Sequence, residues 1–304
     1  MSDGLADRLA RRREQERHRQ VKRRRTALGL VAVLAVGIGA FLLLRGGSDG
    51  PAGSDSGKTS LASTDGGKQG AVEPAGAQPD ESWKPYEGPV PVLMYHVIGE
   101  PAGEVTYPDL YLSVADFKDQ VNWLDENGYT PVTLIQVQDA WYDGATLPKK
   151  PIVLSFDDGY LGQYLDAMPI LRKKGWAGQL NLKAEGSDLS TTEVKKMIKA
   201  GWEIASHTID HPDLTTLDAA SLEEEVAGSK KQMEKELGVD IVNFCYPAGQ
   251  YNDTVIAAVE DAGYRGATTV NPGLARKDMP FELERIRIDQ GDGAETLAGY
   301  LDSY

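Results

Sequence analysis

The chain of 304 residues contains only one cysteine and four histidines, two residue types that often form catalytic or metal sites. A single cysteine, Cys245, excludes an intrachain disulfide, so a folded domain must depend on its hydrophobic core. Because Cys245 stands beside a strand-like run, we interpret it as a small buried side chain and not as a nucleophile. Since histidine is so scarce, the placement of two within five residues, His207 and His211, is informative.

The chain also lacks the positive charge of a nucleic-acid binder, because its formal net charge is -14. The charge is unevenly distributed along the sequence. Residues 1–50 carry eleven Lys or Arg and five Asp or Glu, a net of +6, which leaves about -20 for the remainder. A body this acidic repels a phosphate backbone, so we expect no nucleic-acid partner.

Charged residues are absent from the nineteen-residue apolar run Thr26–Leu44. As a helix with a rise of about 1.5 Å per residue, this run spans about 28 Å, close to the hydrocarbon thickness of a bilayer. The basic arm, residues 1–25, precedes it directly and would stay in the cytoplasm. We predict a retained single-pass membrane anchor with an extracytoplasmic body. A cleaved signal peptide is the alternative, but the run is long for a signal core and no A-x-A site follows.

Residues 45–87 are rich in Gly, Ser, Ala, Asp and Pro and predict a flexible linker. In residues 88–304, short apolar runs alternate with amphipathic stretches, a pattern typical of a parallel sheet. About 215 residues hold seven or eight such units. This number fits a distorted (β/α) barrel, an α/β fold of about seven parallel strands, better than an open sheet. The catalytic residues of such a barrel gather at the carboxyl ends of the strands.

This pattern predicts the bounds of the strands and of the helices. The predicted strands are Pro91–Tyr95, Thr130–Val132, Ile152–Phe156, Ala177–Leu182, Glu203–Ser206, Ile241–Tyr246, Arg265–Thr269 and Glu284–Ile288. The predicted helices are Val114–Glu126, Leu134–Tyr142, Tyr164–Lys174, Thr191–Ala200, Ala219–Leu237, Asp253–Ala262 and Ala294–Leu301.

The buried strand Ile152–Phe156 ends in two adjacent carboxylates, Asp157 and Asp158, followed by Gly159. Neighbouring side chains on an extended chain point in opposite directions, so these carboxylates should have different partners. One could bind a metal while the other acts as a base beside a metal-bound water. The alternative is a plain turn, because Asp-Gly pairs often form turns.

The strand Glu203–Ser206 is followed by His207 and His211, which three residues separate. Pro212 disfavours a helix here, so we predict a loop that brings the two imidazoles together. One carboxylate and two imidazoles would leave coordination positions open for water, which is typical of a catalytic metal. The alternative is a pair of exposed histidines.

Three segments together resemble the polysaccharide deacetylases of the NodB-homology type, carbohydrate esterase family 4. They are Ser155–Gly159, Ser206–Pro212 and Phe244–Gly249, and the resemblance covers about Pro91 to Ile288. The opening stretch, residues 91–96, is similar to the subgroup that contains poly-β-1,6-N-acetylglucosamine deacetylases. The resemblance implies a NodB-like barrel and metal-dependent hydrolysis of the N-acetyl group of an amino sugar.

The resemblance also implies roles for the two aspartates and two histidines. Asp157 would be the general base, and Asp158, His207 and His211 would bind one divalent ion. Zinc suits these ligands best, and cobalt, nickel or iron could also occupy them.

The resemblance assigns the oxyanion donor to the backbone N–H of Ala248. The family usually has an aromatic residue at this position, so one wall of the substrate groove would be lost. Tyr251 is the candidate replacement. The alternative for this segment is an ordinary loop.

The chain departs from the family at two other positions. No histidine follows His211, where many members carry Leu-x-His, so we predict that His96 is the acid that protonates the leaving amine. A structural role is the alternative for His96. The usual arginine of the third motif is also missing, and Arg285 resembles a late arginine of the subgroup. We predict that Arg285 pairs with Asp157 and keeps it ionised, with a surface salt bridge as the alternative.

The expected function is that of a membrane-anchored polysaccharide N-deacetylase, a hydrolase of linear amides at the cell surface. Its substrate would be an N-acetylated polymer such as poly-N-acetylglucosamine or peptidoglycan. An O-acetyl polysaccharide esterase on the same fold is one alternative. A glycan-binding protein with weakened turnover is another, which the missing late histidine and Ala248 suggest and the retained aspartates and histidines oppose.

Overall fold

The computed structural model describes residues 76–304 of the chain. The predicted basic arm (1–25), the predicted anchor (26–44) and most of the predicted linker (45–87) lie outside these residues. No helix between residues 76 and 304 combines the length and apolar character needed to cross a bilayer.

Twelve strands and eight α-helices make up the described part of the chain. The strands are β1 (Lys84–Pro85), β2 (Val92–Tyr95), β3 (Val97–Ile98), β4 (Tyr111–Leu112), β5 (Thr130–Pro131), β6 (Thr146–Leu147), β7 (Pro151–Asp157), β8 (Gln179–Leu182), β9 (Glu203–Ser206), β10 (Asn243–Cys245), β11 (Gly266–Pro272) and β12 (Leu283–Arg287). The helices are α1 (Val114–Glu126), α2 (Leu134–Asp143), α3 (Met168–Lys173), α4 (Thr191–Lys199), α5 (Ala219–Glu223), α6 (Ser229–Leu237), α7 (Asp253–Asp261) and α8 (Ala294–Asp302).

Seven strands form a closed parallel barrel. Their order is β2-β12-β11-β10-β9-β8-β7, and β7 closes the ring by pairing with β2. Every pairing in the ring is parallel, and the short strand β5 pairs with the first two residues of β7. The prediction of a barrel of about seven parallel strands is therefore confirmed.

Helix starts follow the caps that the sequence provides. The Ser113 side chain accepts a hydrogen bond from the Asp116 N–H and begins α1, while Thr133 and Ser190 form capping boxes at α2 and α4. Two predicted helices contain a π-helical turn, Gln163–Ala167 before α3 and Glu224–Gly228 between α5 and α6. Such a turn inserts one residue into the helical register, which hydrophobic spacing does not reveal.

The barrel wall packs against its helices through aromatic side chains. Tyr95 of β2 stacks on Phe156 of β7 at 5.1 Å between ring centroids, and Phe117 of α1 meets Tyr95 edge-on at 5.3 Å. Trp202, just before β9, lies 5.0 Å from Phe156. Strands buried on both faces explain why β7 appears in the sequence as an almost continuous apolar run.

The linker that we predicted to extend to residue 87 ends earlier. Trp83 is only 7% exposed and belongs to a hydrophobic cluster with Val92, Trp141 and Val153. The neighbouring strand β1 pairs antiparallel with β6. The compact domain therefore includes residues before 88, because a buried tryptophan and a strand pairing tie them to the amino-terminal end of the barrel.

Candidate metal centre

Three of the predicted ligands converge at the carboxyl ends of β7 and β9. The Oδ1 atom of Asp158 lies 3.8 Å from His207 Nε2 and 3.6 Å from His211 Nε2. A ligand atom from each of the three residues lies within 4.8 Å of the other two. Two atoms that each lie about 2.1 Å from one ion are at most about 4.2 Å apart, so these two separations fit a shared divalent ion.

The backbone of the site adopts conformations that side chains disfavour. Within residues 76–304, four non-glycine residues have positive φ: Asp158 (72°), Thr208 (67°), His211 (68°) and Ala248 (49°). All four lie in the predicted motifs, and such left-handed positions concentrate at functional sites. The left-handed backbone at Asp158 directs the carboxylate of that residue to the two histidines. Asp157 contacts a different set of partners.

The hydrogen bond of His207 determines which of its ring nitrogens faces the cluster. Its Nδ1 atom lies 2.7 Å from the backbone carbonyl oxygen of Cys245. A carbonyl can only accept, so Nδ1 carries a hydrogen, and Nε2 is the nitrogen that faces Asp158 and could bind an ion. His211, whose side chain is about a third exposed, closes the solvent side of the cluster. Burial and the neighbouring His207 lower the pKa of His211, which favours the neutral, ligating form.

Asp157 is held inside the barrel by charge-assisted hydrogen bonds. Arg285 donates from both terminal nitrogens to its two carboxylate oxygens, each at 2.8 Å, and Asn181 donates to Oδ1 at 2.6 Å. Burial alone would raise the pKa of Asp157, but the charge and hydrogen bonds of Arg285 outweigh it and hold the pKa well below its usual range. Asp157 is therefore ionised at ordinary pH.

Arg285 is fully buried, so the alternative of a surface salt bridge is wrong. Besides Asp157, it donates to the backbone oxygen of Thr269 at 2.7 Å and to Ser155 Oγ at 3.1 Å. The pairing of Arg285 with Asp157 that we predicted is present in the structure. Its part in catalysis stays a prediction.

His96 follows β2 and approaches Asp157. Its Nε2 atom lies 3.8 Å from Asp157 Oδ2, and its buried Nδ1 has no hydrogen-bond partner within the described range. Burial lowers the pKa of His96, and the two aspartates act in the other direction without reversing the shift. Gln163 fixes this corner, because its amide donates to the backbone oxygens of His96 (2.8 Å) and Asp157 (2.6 Å).

The third motif forms a short 3₁₀ turn, Pro247–Gly249, at the end of β10. Ala248 is the strained residue of this turn. Tyr251 stacks on Tyr246 at 4.8 Å, and its hydroxyl bonds to Asn271 and Glu282. The oxyanion role of Ala248 and the compensating role of Tyr251 stay predictions.

Cys245 is buried, as we predicted, and burial raises the pKa of its thiol to about 12. A thiol with that pKa is a poor nucleophile. Its Sγ atom accepts a hydrogen bond from Arg285 at 3.3 Å.

Sequence reasoning missed Asn181, Gln163 and Lys183, whose Nζ lies 3.5 Å from Asp158 Oδ1. A signal for two of them exists in the predicted strand Ala177–Leu182. Gln179 and Asn181 alternate with leucines, so one face of a buried strand is polar, and Lys183 follows at the strand end.

The polysaccharide deacetylase family model matches residues 144–267, which contain both aspartates and both histidines. YxkH of Bacillus subtilis (strain 168), whose name assigns it provisionally to the polysaccharide deacetylases, is 31% identical over 229 residues. That match covers 73% of this chain and 80% of YxkH. The poly-beta-1,6-N-acetyl-D-glucosamine N-deacetylase of Escherichia coli (strain K12) is 27% identical over 271 residues, covering 72% of this chain and only 39% of the relative.

Among solved structures, the Streptococcus pyogenes deacetylase PplD in complex with acetate superposes with a TM-score of 0.65 and 26% identity. The match covers 71% of this chain and 99% of PplD. The motifs, the closed barrel and the extent of the match to YxkH agree, and the chain therefore belongs to the polysaccharide deacetylase family, of the NodB-homology and carbohydrate esterase family 4 type.

Proposed function

We propose that this protein removes N-acetyl groups from an amino-sugar polysaccharide, with poly-β-1,6-N-acetylglucosamine as the first candidate substrate. The observation that carries the proposal is a buried, ionised Asp157 directly beside the cluster of Asp158, His207 and His211. A glycan-binding site has no need of a carboxylate held ready as a base. The name of the Escherichia coli relative supports the choice of polymer.

The donor set of Asp158, His207 and His211 fits a divalent ion, and zinc is the first candidate. Cobalt, nickel and iron accept the same ligands. A bound ion would supply a Lewis acid for the acetyl carbonyl and would lower the pKa of water. The hydrogen bond from His207 to the Cys245 carbonyl holds that imidazole in the ligating tautomer.

Asp157 accepts the proton of the attacking water, because Arg285 keeps its carboxylate ionised and fixed. The backbone N–H of Ala248 donates to the oxyanion as the carbonyl carbon becomes tetrahedral. His96 lies 3.8 Å from Asp157 Oδ2, so the proton taken by Asp157 has a short path to His96. His96 then delivers it to the leaving nitrogen, and acetate and a free amine are released.

The proposed location is the outer face of the cell membrane. Its support is the sequence alone, in which a basic arm (1–25) precedes the uncharged run Thr26–Leu44. An enzyme held there would meet exported polysaccharide.

Acetate release tests the proposal directly. The full chain is incubated with N-acetylglucosamine oligomers, with peptidoglycan and with acetylated xylan, before and after chelation and with zinc restored. We expect release from the N-acetylated oligomers that chelation abolishes and zinc restores. Release from xylan alone would instead indicate an O-acetyl esterase, and no release from any polymer would indicate a binding protein.

Two substitutions separate the base from the ligands. We expect Asp157→Asn to retain zinc and lose activity by about a hundred-fold or more, because a general base contributes about 10²–10⁴ in rate. His207→Ala should lose both zinc and activity. Asp125→Asn, an exposed carboxylate on α1, is the matched control and should leave both unchanged. An active Asp157→Asn variant would refute the assigned base.

A further inference from the structure

We propose that Asn181 is a positioning residue that leaves Asp157 Oδ2 as the reactive oxygen, and that Gln179 holds Asn181 in the orientation this requires. The inference rests on the proposed function, because it assigns Asn181 to the same proton transfer. Neither Asn181 nor Gln179 lies in the three motifs that identify the family.

The register of the barrel brings Asn181 to Asp157. Strands β7 and β8 pair in parallel with Asp157 opposite Asn181 and Ser155 opposite Gln179. Neighbours across a parallel pair direct their side chains to the same face, here the barrel interior. Asn181 is fully buried, and its Nδ2 donates to Asp157 Oδ1 at 2.6 Å.

The orientation of the Asn181 amide is determined from both sides. Both oxygens of Asp157 accept hydrogen bonds from Arg285, and the Asn181 amide presents its nitrogen to Oδ1 as a further donor. On the other side, Gln179 Nε2 donates to Asn181 Oδ1 at 2.9 Å, so the oxygen must face Gln179. The two contacts agree on one orientation, because a flip of the Asn181 amide would set its oxygen against Asp157 Oδ1 and its nitrogen against Gln179 Nε2.

The hydrogen bonds divide unequally between the two oxygens of Asp157. Oδ1 accepts hydrogen bonds from Asn181 Nδ2 and from one terminal nitrogen of Arg285. Oδ2 accepts from the other nitrogen of Arg285 at 2.8 Å, has only a long contact of 3.9 Å with the Cys245 thiol, a weak donor, and faces His96 Nε2 at 3.8 Å. Because Oδ1 already has two strong donors, Oδ2 is the oxygen with capacity to accept a proton, and it lies on the side of the proposed acid.

Stability alone does not explain the pair of amides. The Oε1 atom of Gln179 is buried without a hydrogen-bond partner in the part of the chain that the structure describes. A buried unsatisfied acceptor is destabilising, and leucine commonly fills such barrel positions. A polar pair with one unsatisfied end is therefore better explained by the carboxylate that it orients.

The test compares kcat and KM for acetate release from N-acetylglucosamine oligomers by the full chain. Asn181→Leu keeps a similar volume and removes the donor. We expect kcat to fall about ten-fold to a hundred-fold, the effect of one hydrogen bond to a charged group, with KM and zinc affinity within about two-fold. Gln179→Leu should cause a smaller fall in kcat, because Asn181 keeps its donor but loses its restraint.

A merely structural role would lower the melting temperature and leave kcat per folded molecule unchanged. Thr268→Val, which removes a buried hydroxyl from β11 that does not bond to Asp157, is the control and should keep the wild-type kcat. If Asn181→Leu does not fold, Asn181→Ser, whose hydroxyl is too short to reach Asp157, replaces it with the same expected loss.

The possible failures are distinguishable. A wild-type protein that releases no acetate contradicts the proposed function itself. An active wild type with an unchanged kcat in a folded Asn181 variant overturns the inference alone.

Discussion

Arg285 supplies the positive charge that compensates the buried carboxylate of Asp157. It neutralises the charge of Asp157, and both side chains are almost fully buried. Removing one partner of such a pair leaves an uncompensated buried charge, which costs more than the pair itself contributes.

We therefore expect Arg285→Met to lower the free energy of unfolding by about 3–5 kcal/mol and to impair acetate release. Urea denaturation measures the first effect. The double variant Asp157→Asn/Arg285→Met should recover part of the lost stability, because it leaves no buried charge. Arg276→Met, at an exposed pair with Asp278, is the control and should leave the urea midpoint almost unchanged. An Arg285→Met protein as stable as wild type would contradict this account.

Helix α2 receives a second cap from inside the barrel. Glu203, the first residue of β9, accepts hydrogen bonds from the Ile135 N–H at 3.1 Å and from Asn243 Nδ2 at 2.7 Å. The Oδ1 atom of Asn243 in turn accepts from Gln138 of α2 at 2.7 Å. These contacts join α2 to two barrel strands. Burial raises the pKa of Glu203 to about 7, despite the hydrogen bonds that favour its charged form.

This pKa predicts a pH-dependent stability. The folded pKa lies above the ordinary 4.5, so between about pH 4.5 and 7 the folded protein holds more protons than the unfolded chain. The contribution of Glu203 to stability is therefore greatest at low pH and falls as pH rises through this window, by about 3 kcal/mol in total. Urea unfolding between pH 5 and 8 should show this slope in wild type and its loss in Glu203→Gln.

Other groups titrate in the same range, so the difference between the two proteins is the quantity to compare. Glu126→Gln, an exposed position at the end of α1, should keep the wild-type slope. Equal slopes in wild type and Glu203→Gln would show that Glu203 does not titrate in this window.

Predicted element boundaries were most accurate where a cap marks them. Helix α1 spans Val114–Glu126 as predicted, because the Ser113 side chain caps its start. The two-residue strands β1, β3, β4 and β6 were not predicted, since two residues are too few to show an alternating pattern.

At the scale of the whole domain, residues before 88 stabilise the end of the barrel opposite the site. Trp83 packs beside Val92 and Val153, which lie in the first half of their strands, and beside Trp141 of α2. The sequence places this tryptophan in a stretch of linker composition, and only its burial shows that it belongs to the domain.

We expect Trp83→Ala in the full chain to cost about 3–5 kcal/mol and to lower the melting temperature by about 6–20 °C. Activity per folded molecule should be unchanged, because Trp83 lies away from the strand ends that carry the site. Thermal unfolding with acetate release provides both measurements. Tyr107→Ala, at a side chain that is 69% exposed, is the control and should barely change the melting temperature. If the Trp83→Ala protein has the wild-type melting temperature, residues before 88 do not stabilise the domain, and the predicted linker boundary at residue 87 stands.

The sequence by itself determined the barrel, the candidate metal ligands and the adjacent aspartate proposed as the base. Asp157, Asp158, His207 and His211 are tied by the chain to the ends of two strands, and parallel strands bring those ends to one rim. Local sequence patterns are enough to predict these residues, because each motif spans only a few consecutive positions.

Only the tertiary structure decided which side chains meet within the barrel. The pairing of Asp157 with Arg285, 128 residues away, was expected from the family resemblance, but the full burial of Arg285 was not. Glu203 bonds to Asn243 across 40 residues, a contact that no motif predicted. The contact between Asn181 and Asp157 depends on the register of β7 against β8, and the burial of Trp83 depends on the pairing of β1 with β6. Register and closure arise from the packing of the whole barrel, so no local stretch of sequence encodes them.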